Sequence, residues 1–474
     1  MSGGTLSAGC DLTLCDASDT VAVFTQTGGT VTIACDLYVA YYDDCTGTYH
    51  LSGGSLEADN ETISDDDNGV GTLNQTGGTN TVREDLVLGG YSSSSDGTYD
   101  LVDGTLSVGG DEVVGDDGRG RFLQSGGTHT VAGCLYVAYE PGSAGEFHLS
   151  GGSLEAGNVI LSCDAGAAAL FQQTGGTHTV LGDLALGSFS PGSDGTYELA
   201  DGELAVQGSE VVGDIGAGTF TQSGGTHSVG GALVIGTGTT AVGTLSLSGG
   251  SLAAHDLRVG GFGAGTLEIT DSNAEIRVSN SLTFGPAGTC TAAPGSAIHM
   301  TGAAVENQSA TPADLAGLAN LALIFEGGPA VIDDFEAAGQ DLGAAPAGWV
   351  DNFALGTLQL GGLAAGRLRL VDGFDNQPGW AGAEALYVGE LILNAGAAID
   401  LNGLHLYYLN GGGPRQLFHG DATLDGRVNY LDVGIVATNY GSGGLPGGAV
   451  PEPASAALIV AAAALSGLLG PKRR

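Results

Sequence analysis

A pentapeptide returns every 49 residues. QTGGT begins at Gln26 and Gln75, QSGGT at Gln124, QTGGT at Gln173 and QSGGT at Gln222, with no drift over five copies. Between them runs a second motif: LSGGSL at Leu51, LVDGTL at Leu101, LSGGSL at Leu149, LADGEL at Leu199 and LSGGSL at Leu247, in steps alternating between 50 and 48 residues. The result is a super-period of 98 residues, in which LYVAYYDDCTGTYHLSGGSLEA from Leu37 returns as LYVAYEPGSAGEFHLSGGSLEA from Leu135. The two motifs are variants of one half-repeat of 24 to 25 residues. Each half carries about three strand-length segments set off by Gly, Asn, Asp or Ser. Helical periodicity never lasts beyond a turn or two.

A unit of this length with three short strands fits one coil of a parallel β-helix. One coil cannot bury its own apolar face, so coils must stack, at about 4.8 Å per rung. Residues 1–290 then supply roughly twelve coils. A β-propeller is the competing architecture, because about 50 residues is the size of a blade. The half-repeat and the missing WD and kelch signatures weigh against it. The first residues, MSGGTLSAG, align with LSGGSLEAD at Leu51, which puts Met1 inside a coil with no signal peptide before it. The expectation is a chain that begins upstream of Met1; a naturally open first coil is the alternative.

Composition narrows the function. Glycine supplies 87 of 474 residues, with no Gly-X-Y period, which suits tight turns rather than collagen. Acidic residues outnumber basic ones 53 to 12, for a formal charge of −41. Such a surface repels nucleic acid and anionic lipid and attracts cations. Most of the acids are expected to solvate turns. The seven cysteines (10, 15, 35, 45, 134, 163 and 290) lack a CxxC and follow no repeat, so neither a zinc site nor a disulfide framework is indicated. One or two bridges within the first 45 residues stay open.

The repeat architecture resembles the autotransporter-associated, pectin-lyase-like β-solenoid repeats of exported bacterial proteins. That resemblance implies a right-handed parallel β-helix and leaves the activity open. Beyond Ile269 the motif decays, and residues 291–412 read as irregular terminal coils or a β cap, with a short helix expected within 311–344.

Three constellations invite chemistry. His129, His178 and His227 recur at one repeat position, where earlier copies carry Val31 and Asn80. They should stand two rungs, about 9–10 Å, apart, too far to share a metal held at about 2 Å. The expectation is an exposed or stacking role. Enzymes on pectin-lyase-like solenoids, the alternative function here (polysaccharide lyase or glycoside hydrolase), need a convergent base and cation or paired carboxylates. Nine arginines precede the tail and follow no common face, and the acidic runs SDDDNG (64–69) and GDDGRG (115–120) read as turns. No catalytic residue is expected. The third constellation is GDATLDGRVNYLDVGIVATNYG, from Gly420. Asp421, Thr423, Asp425, the Arg427 carbonyl, Asn429 and Asp432 stand at the ligand positions of an EF-hand-type loop, with Gly426 at the sharp turn and Val428 plugging the core. An apolar helix follows. A helix-capping turn is the plainer alternative. The segment resembles half of a type I dockerin. The resemblance implies one calcium ion, while docking to a cohesin would need the second loop, which is missing; Thr423 is also a weak ligand.

The chain ends VPEPASAALIVAAAALSGLLGPKRR, from Val450. Its apolar stretch of about 15 residues reaches only about 22 Å as a helix, short of a hydrocarbon core of about 30 Å. Lys472, Arg473 and Arg474 would stay cytoplasmic. The tail is thus either an anchor or an address. The order of Pro451, Glu452 and Pro453, an apolar span and a basic end resembles the PEP-CTERM sorting domain. That resemblance implies recognition by an exosortase-type membrane enzyme and export in bacteria of Gram-negative type.

The expected fold is all-β: a solenoid over 1–290, a β cap over 291–412, a dockerin-like loop and helix over 413–441, a Gly/Pro linker over 442–449 and a sorting signal with a transmembrane helix over 450–474. The expected function is a non-enzymatic structural or adhesive role at the cell surface or in the polysaccharide matrix. Divalent cations would bridge its acidic faces to acidic extracellular polysaccharide.

Overall fold

A computed structural model describes residues 1–418 apart from residue 303. The chain divides into two compact units, Met1–Leu323 and the chain from Ile324 onward.

The first unit is a parallel β-solenoid of about thirteen turns. Each turn has three faces. The first carries strands such as Asp194–Leu199 and Ala217–Gln222. The second follows the Gly-Gly pair, as in Thr177–Val180. The third is a strand of three residues, as in Leu184–Leu186. Neighbouring turns pair in parallel, so equivalent half-repeat residues lie in register: Phe147 against Phe171, Phe171 against Tyr197, Tyr197 against Phe220. Register reaches Ala304–Asn307, past the decay of the sequence motif. The helix expected within 311–344 is the 3-10 helix Pro312–Asn320, which lays Gly317 against the Cys290 carbonyl.

Alternation explains the faces. In Asp194–Leu199 every second residue is buried, and the other side meets solvent. Burial thus goes to one apolar column per inward position, extended one rung at a time. Two corners explain the glycines. The second glycine of each Gly-Gly pair is left-handed, with φ of +81° at Gly29, +89° at Gly54 and +78° at Gly78. A Cβ at Gly54 would lie 2.2 Å from the Gly29 carbonyl oxygen, so neither the conformation nor the space admits a side chain. The corner after the third face is also left-handed, but there Ala40, Ser64, Ala138 and Ser162 stand where other turns carry a glycine such as Gly89 or Gly115. The serines donate across the turn that follows, Ser64 Oγ to the Gly69 carbonyl and Ser162 Oγ to the Ala167 carbonyl, both at 2.8 Å.

A third corner uses acids differently from the expected solvation of turns. The Asp85 carboxylate accepts the backbone N–H of Asp111, Asp111 that of Cys134, and Asp183 that of Ser209, at 2.7–2.8 Å. Asn60 does the same for Asp85 at 3.0 Å. These side chains tie each turn to the next.

The second unit is also mainly parallel. Asp333–Glu336 pairs with Arg367–Val371, Leu355–Leu360 with Glu384–Leu393, and Glu384–Leu393 with His405–Tyr408. Antiparallel pairs join Gly339–Gln340 to Glu384–Leu393 and Arg415–Gln416 to His405–Tyr408. Among the described residues no helix is long and apolar enough to cross a membrane. The expected transmembrane segment, 450–474, lies outside them.

Candidate functional site

The histidine column is where the structure departs furthest from the sequence reading. The register runs His129, Leu154, His178, Leu204, His227, so the histidines do sit two rungs apart. Surface placement is corrected, however: the three are 0%, 0% and 2% exposed. The signal lay in the half-repeat. Comparison with the full repeat shows Val31 and Asn80, whereas the intervening turns show Leu56, Leu106, Leu154 and Leu204, an inward position.

Each ring stacks on the phenylalanine of its own turn, His129 on Phe122, His178 on Phe171 and His227 on Phe220, with centroids 4.6–4.7 Å apart. The aromatic rings themselves form a continuous stack from Tyr99 through Phe122, Phe147, Phe171 and Tyr197 to Phe220, at 4.7–5.0 Å and nearly parallel. Rung spacing imposes that distance.

One nitrogen of each ring meets a partner that sequence reasoning missed. His129 Nε2 is 2.7 Å from Glu112 Oε2, and His227 Nε2 is 2.7 Å from Glu210 Oε2; all four side chains are fully buried. The glutamates share a column of the third face with Leu86, Leu135 and Leu184, and they recur at the super-period together with their histidines. At His178 the column holds Val159, and the partner is a tyrosine instead. Tyr197 donates to Gln173 Oε1 at 2.6 Å, so His178 Nδ1–H donates to the Tyr197 oxygen at 3.0 Å. Nε2 of His178 is buried with no partner. Burial, reinforced by the nearby His129, pushes the His178 pKa down to about 3. Asn80 has both kinds of partner, donating to Glu61 Oε2 at 2.9 Å and to the Tyr99 oxygen at 3.2 Å. Burial raises Glu61 to about 7 against the opposing hydrogen bond from Asn80. These groups are sealed from solvent and do not converge on a point. They are core constituents rather than a reaction or metal site.

Solvent meets a different column. Tyr38, Thr62, Val87, Val113 and Tyr136 lie in register on the outer side of the third face. Tyr38 packs edge-on against Tyr41 at 4.7 Å, Tyr41 against Tyr42 at 5.2 Å, and Tyr136 against Tyr139 at 5.0 Å. Tyr42 and Tyr139 are exposed; Tyr38, Tyr41 and Tyr136 are half-buried. The super-period places the two tyrosine clusters four rungs apart. Between them, Asp65 and Asp116 follow the left-handed corner. Burial, with the charges of Asp66 and Asp116 for Asp65, and of Asp117 and Glu140 for Asp116, raises each to about 6.

Several arginines are engaged in local pairs: Arg83 with Asp59 and Glu57, Arg119 and Arg121 with Glu146, Arg369 with Asp334. In the second unit Asp341 binds His405 Nδ1 at 2.6 Å and accepts from the Tyr407 hydroxyl at 2.8 Å, which holds its carboxyl below the usual range against partial burial. All seven cysteines are free thiols, and Cys10 and Cys35 stand 3.4 Å apart, unbridged. The expected calcium ligands Asp421, Thr423, Asp425, Arg427, Asn429 and Asp432, the motif Pro451, Glu452 and Pro453, and the basic end Lys472, Arg473 and Arg474 all lie outside the described residues. Comparison with protein-family models, with curated proteins and with solved structures finds no match to this chain.

Proposed function

We propose that this chain is a structural or adhesive solenoid of the bacterial cell surface or exopolysaccharide matrix, and that it grips extended polysaccharide along the outer side of its third face. The observation that carries the reading is the pair of tyrosine clusters, Tyr38–Tyr41–Tyr42 and Tyr136–Tyr139, on one outward column. Tyrosine offers a flat apolar body with a polar tip, the pairing a sugar ring asks for. The clusters stand about 19 Å apart at the rung spacing, which suits a linear polymer better than a small ligand. A formal charge of −41 favours divalent cations as bridges to acidic glycans. Export rests on the resemblance of residues 450–474 to a PEP-CTERM sorting signal, with an exosortase-type enzyme as the processing partner. The loop at 421–432 would add one calcium ion.

The test is retention of the purified chain on extracellular polysaccharide from its host, with and without chelator. Replacing Tyr41 and Tyr139 by Ala should weaken retention by about tenfold. Unchanged retention would remove the glycan-gripping face from the reading. Turnover of the glycan would replace adhesion by polysaccharide cleavage. An intact mass from the native host separates the two readings of the tail: a chain ending near Pro453 marks an address, and one retaining Lys472–Arg474 in the inner membrane marks an anchor.

A further inference from the structure

We infer that the second unit holds a divalent-cation site, formed by the carboxylates of Glu336, Asp372 and Glu384. Glu336 ends the strand Asp333–Glu336, Glu384 begins the strand Glu384–Leu393, and Asp372 follows the strand Arg367–Val371. Their ligand oxygens all lie within 4.8 Å of one another. Glu336 and Glu384 are 3% and 6% exposed, while Asp372 is exposed and leaves the cluster open to solvent on one side.

The two glutamates shape the loop that carries Asp372. Glu336 accepts the backbone N–H of Gly373 at 2.8 Å and of Phe374 at 2.9 Å. Glu384 Oε1 accepts that of Asn376 at 2.9 Å. Glu384 Oε2 is buried and accepts no hydrogen bond. A buried carboxylate oxygen without a donor, beside two further carboxylates, is an expensive arrangement unless a proton or a cation neutralises it. A cation would satisfy the oxygen and remove the repulsion together.

Carboxylate oxygens are hard ligands of the kind calcium takes, and water would complete the sphere on the exposed Asp372 side. This site is separate in sequence from the loop at 421–432.

Calcium titration calorimetry on the full chain carrying Asp421→Ala and Asp425→Ala, which disable that loop, isolates the cluster. The expected result is one calcium bound per chain. Asp372→Asn, at an exposed position that leaves the fold intact, and Glu384→Gln should each weaken binding by about tenfold or more. Circular dichroism verifies that each variant is folded, and Asp372→Asn alone decides the matter if Glu384→Gln is not. Absence of binding in the loop-disabled chain, or binding untouched by Asp372→Asn, would overturn the inference.

Discussion

At the scale of single residues, each buried glutamate beside the histidine column stands with a partner across the core. Glu112 and His129 occupy positions that hold leucine one turn away, so either can be removed only with its partner. His129→Leu should leave Glu112 buried and unpaired, at about 3–5 kcal/mol. The double variant Glu112→Leu with His129→Leu should recover most of that loss, because Leu135 and Leu154 already fill the two columns on the next turn. His178→Leu is the contrasting case. It leaves no acid behind, and the Tyr197–Gln173 hydrogen bond stays intact, so it should change stability by less than about 1 kcal/mol. Denaturant titration of the four chains checks this; equal losses for His129→Leu and His178→Leu would contradict it. The glutamate partners were legible in principle. Their recurrence at 98 residues, in step with His129 and His227, is visible in the sequence, but a glutamate at a leucine position only makes sense once its partner is seen across the core.

At the scale of a turn, stability is set at the corners. Gly54→Ala would force a left-handed alanine and drive its Cβ into the Gly29 carbonyl, a loss of at least about 2 kcal/mol. Gly3→Ala, at a glycine with nothing within 4 Å of the added carbon, should stay within about 0.5 kcal/mol. Asp85→Ala should lose about 1 kcal/mol by stranding the Asp111 N–H. Thermal unfolding ranks the three, and Gly54→Ala unfolding no earlier than Gly3→Ala would sink the account. Here the repeat made the glycine corner legible, since a second glycine present in every copy of both motifs needs a backbone reason. The aspartate corner was not: Asp85, Asp111 and Asp183 looked like solvated turn residues because a hydrogen bond to the next turn has no local sequence signature.

For the molecule as a whole, buried acids set the pH response. Folding raises Glu61, Asp333 and Glu384 to about 7, and Asp65 and Asp116 to about 6, burial being the first cause in each. In the unfolded chain such groups titrate near about 4. Between those values the folded state holds more protons, so their contribution is complete below about pH 4 and is lost as pH rises through about 6 to 7. His178 acts in the opposite sense. Its folded value of about 3 lies below an unfolded value near 6.5, so its contribution is complete above about 6.5 and is lost as pH falls toward 3. The unfolding midpoint, measured with chelator present, should therefore fall from about pH 5 to pH 8, the five raised acids outweighing the one depressed histidine. The self-repulsion of a chain at −41 adds to the loss at high pH. A midpoint rising steadily from pH 5 to 8 would show that these acids are not buried in the folded chain.

Periodicity alone determined that this chain is a stack of near-identical turns, how long each turn is, and which residues are equivalent. Repetition does so because each turn can bury its apolar face only against a copy of itself. The pairing of Glu112 with His129 and of Glu210 with His227, and the aspartate corner, were decided by tertiary structure. So was the meeting of Glu336 and Glu384, on two strands, with Asp372 in the loop after a third. Those facts depend on groups brought together across the core or between turns, and chain distance carries no record of which of them meet.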